Sequence, residues 1–152
     1  KCYSSPQTFS NAMSPVQAAV VLKAFEIVRS PEGDERRRKL MSNVMTLRSE
    51  MSGYGIEVSG SPSAIVPVVI GAEPLIRIAS RLLADEHVLT NLVEYPAVPR
   101  SAARFRFQVM SDHTGEHAAA AAKGLSKALQ EAKSILEKIQ GSSDNMSQKI
   151  PA

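Results

Sequence analysis

The sequence predicts an α+β fold: a small, mainly antiparallel sheet with helices packed against one face. Helical and strand patterns follow one another along its 152 residues in the order α-α-β-β-α-β-β-α. The stretch beginning at Ala103 alternates strictly. Phe105, Phe107 and Val109 fall on one face and Arg104, Arg106 and Gln108 on the other, as in a strand with one covered side. With 43 % hydrophobic residues, a chain of this length can bury a single core.

Ser14-Pro15 marks the first helix, with serine as cap and proline at the first helical position, where a missing N–H costs nothing. The helix is expected to run to about residue 29. Val16, Ala19, Val20, Val21, Leu22, Phe25, Ile27 and Val28 make it apolar nearly all round, the pattern of a helix covered on more than one side. In so short a chain this points to a partner surface supplied from elsewhere. Ser30-Pro31-Glu32-Gly33 breaks the pattern. A second helix is expected over about residues 34–52, with Leu40, Val44, Leu47 and Met51 at steps of four and three. Gly53 and Gly55 end it.

Ile56-Glu57-Val58 reads as a short strand, and residues 64–70 as a nearly all-apolar one. Pro67 has no N–H to give a ladder, so an edge position or a bulge is expected there. Glu73-Pro74 opens a third helix to about residue 85, burying Leu75, Ile76, Ala79, Leu82 and Leu83. Residues 88–93 read as a third strand. A stiff Tyr95-Pro96-Ala97-Val98-Pro99 turn then delivers the chain into the arginine strand. Thr114 caps a last helix to about residue 139, and its Ala118-to-Ala122 run favours helix strongly. From Gly141 the polar tail is expected to be disordered.

The formal charge of +3 is mild. The cluster Arg36-Arg37-Arg38-Lys39 sits among Asp34, Glu35 and Glu50, which suits a solvated helix face better than a nucleic-acid groove. Three tyrosines and no tryptophan leave few platforms for stacking bases. No nucleic-acid partner is expected. A lone cysteine, Cys2, rules out an internal disulfide framework and fits a reducing, cytoplasmic compartment. No apolar run approaches the ~20 residues needed to cross a bilayer. Lys1-Cys2-Tyr3-Ser4-Ser5-Pro6 lacks the apolar core of a secretory signal. A start at Lys1 suggests a piece of something longer.

Little catalytic chemistry is legible. His87, His113 and His117 form no ligand pattern with cysteine or carboxylates, so cap or surface roles are expected and no metal. Gly53-Tyr54-Gly55 lacks the remaining glycine and the strand-to-helix context of a dinucleotide loop. No nucleophile elbow or Ser–His–acid set can be read. What remains is the face carrying Arg104 and Arg106. Guanidinium forks suit carboxylates, so this face is either an anion seat or a sheet surface solvated by water.

Five segments together resemble a known family. Phe9-Ser10-Asn11-Ala12-Met13-Ser14-Pro15 comes first, then Arg29-Ser30-Pro31-Glu32-Gly33-Asp34-Glu35-Arg36-Arg37. Ser63-Ala64-Ile65-Val66-Pro67, Tyr95-Pro96-Ala97-Val98-Pro99 and Arg106-Phe107-Gln108-Val109-Met110-Ser111-Asp112-His113 follow in order. They are similar to the C-terminal part of the α-oxoamine synthases, fold-type-I pyridoxal 5′-phosphate enzymes that include 8-amino-7-oxononanoate synthase and serine palmitoyltransferase. The resemblance covers residues 9 to about 139.

It implies a homodimeric acyltransferase that joins an amino acid to an acyl-CoA thioester with loss of CO2. Arg106 would grip the amino-acid carboxylate. Ser10 and Asn11 would reach the cofactor phosphate of the other subunit, and the loop with Tyr95, Pro96 and Pro99 would close near the substrate. The implied organisation is a lead-in over residues 1–13, a small domain over 14–140 and a tail over 141–152. One departure stands out: the family's Schiff-base lysine context is absent. Gly124-Leu125-Ser126-Lys127 lies inside the last helix and is no substitute. The chain alone is therefore expected to contribute no catalytic residue and to be inactive. A non-catalytic module of the same descent, and an unrelated domain binding an acidic metabolite, are the competing expectations.

Overall fold

The computed structural model describes residues 13–147. They form two compact units, divided in sequence between Arg38 and Lys39.

In the first unit, α1 (Pro15–Val28) starts as expected. Ser14 Oγ accepts from Gln17 N, and Gln17 Oε1 accepts from Ser14 N, both at 3.2 Å, which satisfies two otherwise orphan donors. No residue of α1 is buried; Val16 keeps 74 % and Phe25 60 % of its surface exposed. The break is shorter than expected. Only Arg29 and Ser30 lie between the helices, and α2 (Pro31–Gly53) begins at the proline itself. Ser30 Oγ takes the capping role, donating to Ile27 O at 2.7 Å and accepting from Gly33 N at 3.4 Å. Gly33 thus belongs to the first turn of α2, where a Cβ would overlap the carbonyls of Ile27 and Val28. Arg36, Arg37 and Arg38 pair with Glu32, Asp34 and Glu35 of the same helix, the solvated arrangement their spacing predicts.

In the second unit, α2 buries Val44, Leu47 and Met51. Next come β1 (Ile65–Gly71), α3 (Glu73–Asp85), β2 (Asn91–Val93), a 3-10 turn at Arg100–Ala102, β3 (Ala103–Gln108) and α4 (Gly115–Ser147). The strands form one antiparallel sheet in the order β1-β3-β2. Phe105 and Phe107 turn inward from the central strand, edge to face at 6.3 Å. They join Val66, Val68, Ile76, Ala79, Leu83, Leu125 and the alanines of α4 in one core. Pro67 sits on an edge strand that also carries an irregularity between Val69 and Gly71, as a ladder-breaking residue requires.

Three expectations need correction. Ile56-Glu57-Val58 forms no strand. Ser59 N donates to Pro67 O at 3.1 Å, but Pro67 has no N–H to return, so pairing on that edge goes no further. The third strand begins at Asn91 rather than Val88, because Val88 N is spent on Leu83 O at the end of α3. His87 N bonds Ala84 O there, and His87 itself is left-handed at φ 60°, completing a Schellman turn. Finally, α4 continues past residue 139 to Ser147. Gly141 is tolerated inside a helix at a cost of about 1 kcal/mol, and no proline intervenes to stop it.

Candidate functional site

The site is built on β3. Its alternation sends Ala103, Phe105 and Phe107 into the core and leaves Arg104 and Arg106 on the opposite face. Pairing fixes their neighbours. Pro67 and Asn91 lie opposite Arg106 on the two flanking strands, and Val69 and Val93 lie opposite Arg104. Ile65 and Val69 share this face and are 45 % and 42 % exposed, so much of it is open to solvent.

The two arginines differ. Arg104 Nε donates to Ala102 O at 3.0 Å. Arg106 is half-buried, and its Nε is shielded from solvent without any hydrogen-bond partner. A buried donor left unmet costs about 1–3 kcal/mol, more when charged, so such a group is poised to accept an acidic partner. It lines neither of two cavities in this unit. One, of about 540 Å³, lies on the helix side between Leu47, Val88, Phe107 and His117; the other, of about 400 Å³, lies between Tyr54, Val69, Leu75 and Lys133. Arg106 instead sits on an open sheet face.

Tyr95, Pro96 and Pro99 occupy the loop between β2 and β3, at the Arg104 end of the sheet. The Tyr95–Pro96 peptide is cis. Glu94 O accepts from Ala97 N at 3.0 Å and from Val98 N at 3.4 Å. The Arg100 guanidinium stacks on the Tyr95 ring, 4.5 Å from its centroid. The Glu94 carboxylate takes two hydrogen bonds from Arg77 of α3, at 2.8 and 3.0 Å. Nothing in the sequence marks this last pair, since 17 residues separate its members and no periodicity links them. Ser10 and Asn11 lie outside the described residues.

His113 and His117 serve the entry to α4, while His87 closes α3. His113 Nδ1 accepts from Met110 N at 3.3 Å, and His117 Nδ1 accepts from Thr114 N at 3.2 Å while Thr114 Oγ1 caps His117 N. Lys127 projects from the surface of α4 and is ion-paired to Glu86. That hydrogen bond and charge hold its pKa above the ordinary lysine value, the wrong direction for an amine that must lose its proton to attack. Arg106 thus presents an unpartnered guanidinium N–H that an anion could accept, and Lys127 does not fit covalent attachment of a cofactor.

Four helices with a three-stranded antiparallel sheet match the α+β fold of pyridoxal-phosphate transferase structures. The chain belongs to the aminotransferase class I and II family, whose model matches residues 1–125; the family's enzymes depend on pyridoxal 5′-phosphate. It is 34 % identical over 113 residues to 2-amino-3-ketobutyrate coenzyme A ligase of Escherichia coli K12, covering 74 % of this chain and 28 % of that protein. It is also 34 % identical over 122 residues to 8-amino-7-oxononanoate synthase of Thermoanaerobacter pseudethanolicus, covering 80 % of this chain and 30 % of that one. The chain therefore spans less than a third of these relatives. In fold it is similar to serine palmitoyltransferase of Sphingomonas wittichii, with a TM-score of 0.74 at 18 % identity over 82 % of this chain and 31 % of the other.

Proposed function

We propose that this chain is the C-terminal part of a pyridoxal-phosphate-dependent acyltransferase. The whole protein would condense an amino acid with an acyl-CoA thioester and release CO2, as an 8-amino-7-oxononanoate synthase-like enzyme. The observation that carries this reading is the Arg106 guanidinium, half-buried on an open sheet face with Nε unpartnered. The resemblance in five ordered segments and the identity to both relatives support it.

In this reading Arg106 binds the amino-acid carboxylate through its planar fork and so orients the α-carbon. The Tyr95–Pro99 loop closes beside it and excludes water. Ser10 and Asn11 reach the cofactor phosphate across a homodimer interface, and the α1 surface left uncovered here packs on the rest of the protein. When bound, pyridoxal phosphate supplies the electron sink for bond breaking at the α-carbon. The lysine that holds it lies in the remainder of the protein, which works in the cytoplasm.

The competing reading, a non-catalytic module of the same descent, draws on the pairing of Lys127 with Glu86. The test is thiol release by the full-length protein loaded with pyridoxal phosphate and given an acyl-CoA with glycine, alanine or serine. Release of free CoA that requires one of the amino acids is the expected result. A protein that binds the cofactor but releases no CoA with any of them would support the non-catalytic module.

A further inference from the structure

Glu94 is the hub of the loop between β2 and β3. Its carbonyl takes two of the loop's internal backbone N–H bonds, from Ala97 and Val98. Its carboxylate reaches out of the loop, to Arg77 on α3. Arg77 is a firm anchor because Ile76 and Ala79 beside it are fully buried, fixing that stretch of α3 in the core. Its fork meets both carboxylate oxygens, a geometry that sets orientation as well as distance. Glu73, one turn earlier on α3, lies 3.9 Å away and keeps one oxygen buried without a partner, so the cation sits between two acids.

We propose that Arg77 is a positioning residue for amino-acid recognition, holding Glu94 so that the Tyr95–Pro99 loop is fixed beside the sheet face that carries Arg106. The inference rests on the functional reading above and goes beyond it in assigning a role to a residue outside the substrate's reach. Arg77 is 60 % exposed, and an ion pair so open to water contributes little to folding. Its consequence is geometric. The pair also holds the Glu94 carboxyl below the ordinary glutamate range, so the clamp stays charged further into acid.

The test uses the full-length, cofactor-loaded protein with Arg77→Ala, Arg77→Lys, Glu94→Gln and the Ala/Gln double variant, and Arg106→Ala as control. Arg77→Ala and Glu94→Gln should each raise the amino-acid KM about three- to tenfold, with thioester KM and melting temperature unchanged. The double variant should be no worse than either single, and Arg77→Lys should recover part of the loss. Amide exchange at Ala97 and Val98 should quicken in the same variants. An unchanged amino-acid KM in Arg77→Ala, with Arg106→Ala still impaired, overturns the proposal while the functional reading stands. A fall in melting temperature that accounts for the whole effect overturns it too. If Arg106→Ala is also silent, the functional reading fails and takes this inference with it.

Discussion

Arg104 and Arg106 share one face of the central strand, yet only Arg104 has its Nε satisfied, by the carbonyl of Ala102 at 3.0 Å. Two residues of the same type, one turn of the pleat apart, therefore stand in different energetic states. The unmet one costs stability in the absence of a ligand.

That asymmetry predicts different effects on stability. Arg106→Met replaces an unsatisfied, partly buried cation by an apolar stem of similar length. The ligand-free protein should gain about 1 kcal/mol. Arg104→Met gives up a met hydrogen bond and should gain nothing. Thermal unfolding without ligand separates the two. A loss of stability in Arg106→Met would mean that its guanidinium is already paired in the free protein.

Gly33 lies in the first turn of α2, against the last turn of α1. Alanine is the better helix former by about 1 kcal/mol, yet its methyl would overlap the Ile27 and Val28 carbonyls. Overpacking of this kind costs about 1–3 kcal/mol, so Gly33→Ala should destabilise. Circular-dichroism melting checks the sign, and a stabilised variant would show that the corner relaxes freely.

His87 adopts the left-handed conformation that closes α3, a role glycine fills without a Cβ penalty. His87→Gly should stabilise by about 1 kcal/mol, read as a higher denaturation midpoint at an unchanged slope. A lower midpoint would mean that the imidazole contributes packing that outweighs backbone strain.

Glu94 sets a pH dependence. Arg77 donates to its carboxylate and holds its pKa below the ordinary glutamate value. A depressed carboxyl favours the paired loop above the ordinary glutamate pKa, with little effect on the whole fold at this exposure, and that preference is lost as pH falls through the lower, folded value. The loop should therefore loosen only in acid. Carbon NMR of the Glu94 carboxyl should give a midpoint below that of an unpaired glutamate and return towards it in Arg77→Ala. An ordinary midpoint in the parent protein would contradict the clamp.

Legibility followed the physics of each signal. The alternation around Phe105 could be read from sequence because a strand with one buried face has only one acceptable period. Pro67 announced its edge position through the donor it lacks. The same missing donor defeated the expected strand at Ile56, since no pattern within residues 56–58 reveals what stands alongside them. Val88 looked like a strand residue by composition, but its N–H is claimed by the cap of α3. On the site side, the strand alone marked the Arg104/Arg106 face as an anion seat or a solvated surface, and only the family resemblance singled out Arg106. The difference between it and Arg104 was not, because it depends on where the chain turns at Ala102. The bond from Arg77 to Glu94 exists only once α3 and the loop are brought together in space.

The most direct test of the central claim is the affinity of the full-length, cofactor-loaded protein for its amino acid, with and without Arg106. Truncating one partner of a desolvated charge pair costs about 2–5 kcal/mol, so Arg106→Ala should raise the dissociation constant roughly 30-fold or more. The cofactor's own absorbance should not change. Equal affinity in the two proteins would contradict the carboxylate role of Arg106.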